Sequence, residues 1–165
     1  MAKNLFQGVC AFPLTPLRDQ HIDEAAFTAL LARLTDAGVD ALGVLGSTGS
    51  YAYLTREERA RITRLAVENA GDTPVMVSIG ALRLDDILYL ADDAQRAGVS
   101  GVMLAPVSYQ TPTQDEAFRL YERVTAALSV PLCVYENVPT TGFTFSDELL
   151  TQVARLPGVG AIKLN

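Results

Sequence analysis

The sequence predicts an α/β fold in which the strands run parallel and helices cover the sheet. Six short apolar runs recur along the 165 residues, and successive runs start 27 to 33 residues apart. That spacing is typical of βα units and is too long for hairpins. Amphipathic helical patterns lie between the runs, and strands that alternate with helices in this way form a parallel sheet.

The predicted strands are almost continuously apolar, which is typical of parallel strands that are buried on both faces. They are GVCAFPL from Gly8, ALGVLG from Ala41, PVMVSIG from Pro74, GVMLAP from Gly101, PLCVYEN from Pro131 and VGAIKL from Val159. The last run differs from the others because it carries a cation, Lys163. That lysine requires an explanation.

Five helices are predicted between these strands from apolar spacing and capping signals. The first runs from Asp23 to Ala37 and stops at Gly38, a residue type that favours helix ends. Thr55 and Thr113 each stand three residues before a glutamate, which predicts a capping box at two helix starts. The remaining helices are expected to follow Thr55, to span Asp85 to Ala97, Thr113 to about Leu128, and Ser146 to about Leu156.

Two architectures fit a parallel sheet of this kind, an open doubly wound sheet and a (β/α)8 barrel. A dinucleotide-binding open sheet carries G-x-G-x-x-G after its first strand, whereas this chain has FPLTPLRD there. The barrel is therefore favoured. We predict one domain over residues 1–165, a partial (β/α)8 TIM barrel to which this chain supplies about the first six strands and five helices.

The charge balance and the length of the apolar runs exclude several classes of partner. The net charge is −6 with a pI near 4.7, and no basic run is present, so a nucleic-acid backbone would be repelled. No apolar stretch approaches the ~20 residues that cross a bilayer, and no signal-peptide pattern opens the chain. We therefore expect a cytoplasmic protein without nucleic-acid or membrane partners.

The sequence offers little from which to build a metal site. Cys10 and Cys133 both lie within apolar runs, where a free thiol behaves as a small core residue. His21 is the single histidine and lies in the polar segment RDQHID. Zinc-type sites need several such ligands, so we predict neither a metal nor another cofactor.

The segment GSTGS follows the second predicted strand, at the edge of the sheet where functional side chains collect in both architectures. Gly46 and Gly49 bracket Ser47 and Thr48, and such a tight loop can direct backbone N–H groups and two hydroxyls at an anion, most plausibly a carboxylate. The same composition is also typical of an ordinary turn.

Lys163 is a candidate nucleophile. Strand alternation would place Val159, Ala161 and Lys163 on one face, and burial beside apolar neighbours favours the free amine. Tyr135, with Cys133 on its face, would stand at the same height one strand away, which pairs an amine with a phenol proton carrier. A lysine near the end of a strand can alternatively be exposed or extend to solvent.

Four segments, GSTGS, PVSY, YENVPTTG and GAIK, stand in this order along the chain. In order and separation they resemble the dihydrodipicolinate synthase / N-acetylneuraminate lyase family of Schiff-base aldolases. With the opening FPLTPL, the resemblance covers essentially the whole chain. It implies a (β/α)8 barrel, a lyase that acts on pyruvate or a related 2-oxo acid, and a homo-oligomer.

The resemblance also implies a role for each matching residue. Lys163 would form the imine with the keto group, Tyr135 would carry protons to and from the bound intermediate, and Ser47 would relay them. Ser47, Thr48 and Gly49 would bind the substrate, with Thr48 and the neighbouring N–H groups holding its carboxylate.

The chain departs from the family's synthases at three places. Their arginine for the second substrate's carboxylate is missing, since NVPTTG has Thr140 and Thr141. Ser50 replaces a common glutamate, and PVSYQTP is one residue longer around Tyr109, which resembles a catalytic tyrosine that reaches across a subunit contact. We therefore expect a family member other than dihydrodipicolinate synthase proper.

A full barrel takes about 250 residues, so two strands and their helices are expected to be missing from this chain. Three explanations follow. The chain is a fragment of a longer enzyme, or it closes by assembly with a second copy or another chain. In the third, it is a catalytically silent module that has only a structural or small-molecule-binding role.

Overall fold

The computed structural model describes residues 4–164, so residues 1–3 and 165 of the predicted domain lie outside the described part. The strands are β1 (Cys10–Ala11), β2 (Leu17–Arg18), β3 (His21–Ile22), β4 (Ala41–Val44), β5 (Val75–Ser78), β6 (Gly101–Leu104), β7 (Leu132–Tyr135) and β8 (Val159–Lys163). The helices are α1 (Glu24–Asp36), α2 (Arg56–Asn69), α3 (Leu84–Ala97), α4 (Gln114–Thr125), α5 (Val138–Thr141) and α6 (Asp147–Ala154).

Six strands form one sheet in the order β1-β4-β5-β6-β7-β8, and every pair in it is parallel. The predicted parallel α/β sheet, a partial TIM barrel, is therefore confirmed. β1 and β8 are its two edges within residues 4–164. β2 and β3 form a separate antiparallel hairpin that the sequence analysis did not predict. Asp19 and Gln20 connect them with positive φ angles of 50° and 66°, which suit a tight two-residue turn.

The five predicted helices are present, and both capping boxes form. Thr55 accepts a hydrogen bond from the backbone N–H of Glu58, and Thr113 accepts one from that of Glu116. α4 ends at Thr125 rather than near Leu128, because the chain continues through a tighter turn in which the Leu128 N–H donates to Thr125 O. The one-turn helix α5 was not predicted. None of the helices in residues 4–164 is long and apolar enough to cross a membrane.

The sheet is covered on one face and partly open on the other. The helices pack on the outer face in one large apolar core that includes the fully buried Phe27 and Tyr121. A smaller cluster lies on the inner face, where the strands would enclose the centre of a barrel. Its buried members are Met76, Met103, Ala105, Cys133 and Tyr135, with Cys10 and Phe12 packed against them. Both cysteines are free thiols of this inner cluster, as core residues would be.

The predicted alternation along β8 is wrong at its start. Leu132 pairs with Val159 and Cys133 pairs with Ala161, so Gly160 is an extra residue that forms a β-bulge. The bulge reverses the facing of the residues that precede it. Val159 therefore packs on the outer core together with Ile162, whereas Ala161 remains on the inner face.

Candidate active site

Lys163 ends β8 beside Tyr135, the last residue of β7, and the two are direct register partners. Lys163 Nζ lies 3.9 Å from the centroid of the Tyr135 ring and 5.9 Å from that of the Phe12 ring. At 3.9 Å the amine contacts the face of the phenol, as in a cation–π pair. Lys163 and Tyr135 are therefore adjacent, as predicted, and the amine contacts the face of the tyrosine ring.

The surroundings of the Lys163 amine are apolar. A cavity of about 300 Å³ on the inner face is lined by Lys163 together with Phe12, Met76 and the two cysteines, among others. Burial raises the thiol pKa of both Cys10 and Cys133 to about 11, and the charge of Lys163 opposes this rise. The thiols are thus neutral near pH 7. Lys163 is half-buried, and no carboxylate side chain is among the residues that line this cavity.

The GSTGS segment is a tight loop, as predicted. Leu45 has a φ of 57°. A Cβ at Gly49 would lie 3.0 Å from the Leu45 backbone, so the loop is tightly packed there. Ser47 and Thr48 are exposed at the rim. Ser47 Oγ accepts a hydrogen bond of 3.1 Å from Asn137 Nδ2, which ties the loop to the segment after β7. The proton relay from Ser47 to Tyr135 stays a prediction.

A second cavity, of about 410 Å³, opens at this rim. Hydroxyl and apolar side chains line it, namely Ser47, Ser50, Tyr51, Ala52, Tyr53, Val107 and Thr140. No cationic side chain is among these lining residues. Thr140, in the segment where the resemblance implies an arginine in synthases, is thus part of an uncharged wall.

Tyr109 does not join these residues in the chain. It lies on the loop between β6 and α4 with 94% of its surface exposed, and it is not among the residues that line either cavity. A residue that acts across a subunit contact would be exposed in an isolated chain. The catalytic role of Tyr109 therefore stays a prediction.

Sequence reasoning missed Tyr51 and Arg59. Arg59 is 5% exposed and donates hydrogen bonds to Ser78 O at 2.8 Å and Gly80 O at 2.9 Å. Its guanidinium carbon lies 5.1 Å from the centroid of the Tyr51 ring. The available signal was a charged residue on the buried side of α2, where Ile62 and Ala66 also lie.

Burial dominates the electrostatics of this pair. It lowers the pKa of Arg59 to about 10, while the proximity of Tyr51 opposes the fall. Burial also raises the pKa of the Tyr51 phenol; Arg59 counteracts that rise, and nearby Tyr135 adds to it. Tyr51 therefore interacts electrostatically both with the buried arginine and with the tyrosine that contacts Lys163. Among residues 4–164, no three His, Cys, Asp or Glu side chains gather in a group that could hold a metal ion.

Comparison with known proteins places these residues in a family context. A sequence profile of the Dihydrodipicolinate synthetase family matches residues 5–165. The 4-hydroxy-tetrahydrodipicolinate synthase of Phenylobacterium zucineum is 34% identical over 165 residues, which cover 99% of this chain and 56% of that protein.

Solved structures agree with this match. Dihydrodipicolinate synthase from Agrobacterium tumefaciens superposes with a TM-score of 0.93 at 49% identity, over 96% of this chain and 54% of that one. The chloride-inhibited dihydrodipicolinate synthase from Acinetobacter baumannii, complexed with pyruvate, superposes with a TM-score of 0.91 at 25% identity, over 96% and 55%. The chain thus spans about half the length of the relatives that it matches. From the profile match and the shared fold, we conclude that the chain belongs to the dihydrodipicolinate synthetase family.

Proposed function

We propose that this chain carries the catalytic lysine of a class I, Schiff-base-forming lyase or aldolase that acts on pyruvate or a related 2-oxo acid. The observation that carries the proposal is the position of Lys163 Nζ, 3.9 Å from the Tyr135 ring in the apolar inner face of the sheet. A relative in complex with pyruvate supports this class of substrate.

In the proposed reaction, the neutral amine of Lys163 attacks the keto carbon. The C–N bond forms, the oxygen leaves as water after protonation, and the resulting imine withdraws electrons from the adjacent carbon. Loss of a proton from that carbon gives an enamine, which adds to the second reactant. Tyr135 is proposed to carry the protons, with Ser47 as relay, and Thr48 and the N–H of Gly49 to hold the carboxylate.

The second substrate is proposed to differ from that of dihydrodipicolinate synthase proper. The support is the uncharged wall of the rim cavity around Thr140. The resemblance implies an arginine in this segment of the family's synthases. Three further predictions belong to this proposal. They are a catalytic role of Tyr109 across a subunit contact, a homo-oligomeric state and a cytoplasmic location.

Borohydride trapping tests the imine directly. The chain contains two lysines, Lys3 and Lys163, so the site of modification is simple to assign. With pyruvate and sodium borohydride, we expect one covalent adduct that peptide mass spectrometry places on Lys163. Lys3→Arg keeps this adduct and serves as the matched control, whereas Lys163→Arg loses it. An adduct that persists in Lys163→Arg contradicts the proposal.

A catalytically silent module is the second candidate function, and the partial exposure of Lys163 favours it. Lys163 is half-buried on β8, so its amine is not fully shielded from solvent. A folded chain that forms no adduct with pyruvate would support this candidate.

A further inference from the structure

Arg59 is a buried cation without a carboxylate partner. It is 5% exposed, and no ion pair within residues 4–164 includes it. Its two terminal nitrogens donate hydrogen bonds to two backbone carbonyls, and its Nε has no hydrogen-bond partner. Burying a charge is costly unless other groups compensate. The position of this guanidinium therefore calls for a role beyond packing.

The guanidinium holds the ring of Tyr51. The two groups are 5.1 Å apart, and the bonds to Ser78 O and Gly80 O fix the guanidinium at the end of β5. A Cβ at Gly80 would lie 3.3 Å from Tyr51 Oη and 3.5 Å from a Val107 methyl. The Tyr51 hydroxyl thus lies beside Gly80, near the ends of β5 and β6, where a side chain at residue 80 would crowd it.

Tyr51 also lines the rim cavity, together with Ser47, Val107 and Thr140. Its phenol is protonated near pH 7, since burial raises its pKa, and it can therefore donate a hydrogen bond. The wall otherwise offers neutral hydroxyls and apolar groups, which suit an uncharged, hydroxylated ligand.

We propose that Tyr51 is a specificity-determining residue whose hydroxyl donates a hydrogen bond to an uncharged oxygen of the second reactant, with Arg59 as its positioning residue. The inference rests on the proposed function, in which an enamine at Lys163 adds to an aldehyde. The site then accepts neutral hydroxyaldehydes in preference to aldehydes that carry a carboxylate. A carboxylate would lose its hydration against a wall that offers it no cationic side chain, whereas a neutral oxygen needs only the one donor.

The test measures binding separately from imine chemistry. The Lys163→Ala chain is labelled with ¹³C at the tyrosine Cζ, and the Tyr51 signal is the one that disappears in Lys163→Ala/Tyr51→Phe. Glyceraldehyde and succinic semialdehyde, one neutral and one anionic, are titrated in the presence of pyruvate. We expect glyceraldehyde to move the Tyr51 signal to saturation, and succinic semialdehyde at equal concentration to leave it unmoved.

Calorimetry of glyceraldehyde binding provides the second readout. In the Lys163→Ala background, Tyr51→Phe keeps the ring on Arg59 and removes one hydrogen bond, so affinity falls roughly three- to tenfold. Tyr89→Phe, on the outer surface of α3, is the matched control and leaves affinity unchanged. Arg59→Gln removes the cation, which raises the pKa of the Tyr51 phenol in a pH titration of its Cζ signal.

Three results would overturn the inference. They are a Tyr51 signal that does not respond to glyceraldehyde, an equal response to succinic semialdehyde, and an unchanged affinity in Tyr51→Phe. If Arg59→Gln does not fold, Arg59→Lys replaces it. Because lysine keeps a cation, the Tyr51 phenol should titrate in Arg59→Lys as it does in the chain with Arg59. A raised pKa of Tyr51 in Arg59→Lys would contradict the positioning role. Failure of the imine itself appears only in the borohydride experiment, which uses the chain with Lys163 intact.

Discussion

Lys163 is an unusual residue for its position because its neighbours are aromatic rings, thiols and methionine rather than carboxylates. Among residues 4–164, no carboxylate forms an ion pair with Lys163. The face of Tyr135 compensates in part through the cation–π contact. Reactivity at this residue therefore depends on how completely water is kept from the inner face.

The two thiols around Lys163 provide a prediction about pH. Their folded pKa is about 11 against an ordinary value of 9.0. Between these values the unfolded chain has lost thiol protons that the folded chain retains, so the free energy of unfolding falls as pH rises from 9 to 11. Below pH 9 the thiols contribute no pH dependence, because both states are protonated.

Urea denaturation of the wild-type chain and of Cys10→Ala/Cys133→Ala at several pH values checks this prediction. The stability difference between the two proteins is expected to be constant up to pH 9 and then to shrink toward pH 11. Iodoacetamide should modify both thiols slowly at pH 8 and much faster near pH 11. Rapid alkylation of the folded wild-type chain at pH 8 would contradict the raised pKa.

At the scale of the elements, strand β4 shapes the floor of the site. Gly43 lies in β4, and a Cβ there would clash with the Phe12 ring. Phe12 in turn packs on the inner cluster and lies 5.9 Å from Lys163 Nζ. A glycine in β4 therefore permits an aromatic wall next to the lysine.

Gly43→Ala is expected to push the Phe12 ring away from Lys163 and to destabilise the chain by about 1–3 kcal/mol, as overpacking does. Urea denaturation measures the loss. Phe12→Leu in the same background reduces the clash, so the double variant should recover part of the stability, and a double-mutant cycle gives the coupling between the two positions. Strict additivity of the two changes would show that they do not interact.

At the scale of the whole molecule, the sheet has two unpaired edges within residues 4–164, at β1 and β8. Cys10 and Phe12 near one edge and Ala161 and Lys163 at the other line the same inner cavity. In a complete barrel of this fold, eight strands close around such a face. The six strands described here leave it accessible, and exposed apolar faces and strand edges promote association.

Closure is therefore expected to control imine formation. Fusion of this chain to the part of the Agrobacterium tumefaciens relative that lies beyond the matched region should supply the remaining wall. We expect the fusion to bind less of the dye ANS than the chain alone and to give a higher yield of borohydride-trapped pyruvate at Lys163. A fusion with lower dye binding and an unchanged adduct yield would show that closure does not govern the lysine.

Many features could be predicted from the sequence because they depend on local interactions. The regular apolar runs predicted the six parallel strands, and Thr55 and Thr113 predicted their capping boxes, since each box spans only three residues. The β2–β3 hairpin was missed because His21 and Ile22 lie in a short polar segment without the usual Asn-Gly or Asp-Gly turn. Helix α5 was missed because four residues give too short a pattern.

The sequence by itself determined the parallel α/β architecture, because apolar periodicity follows from neighbours along the chain. It also placed Tyr135 and Lys163 on two successive predicted strands, and strand pairing made them direct partners. The tertiary structure alone decided the bulge at Gly160 and the facing of Val159, since these depend on how β8 pairs with β7. It also decided the contact of Arg59 with Tyr51 and Gly80, which are separated along the chain and meet only when α2 packs against β5. Contacts of this kind arise from packing between elements, and packing leaves no periodic signal in the sequence.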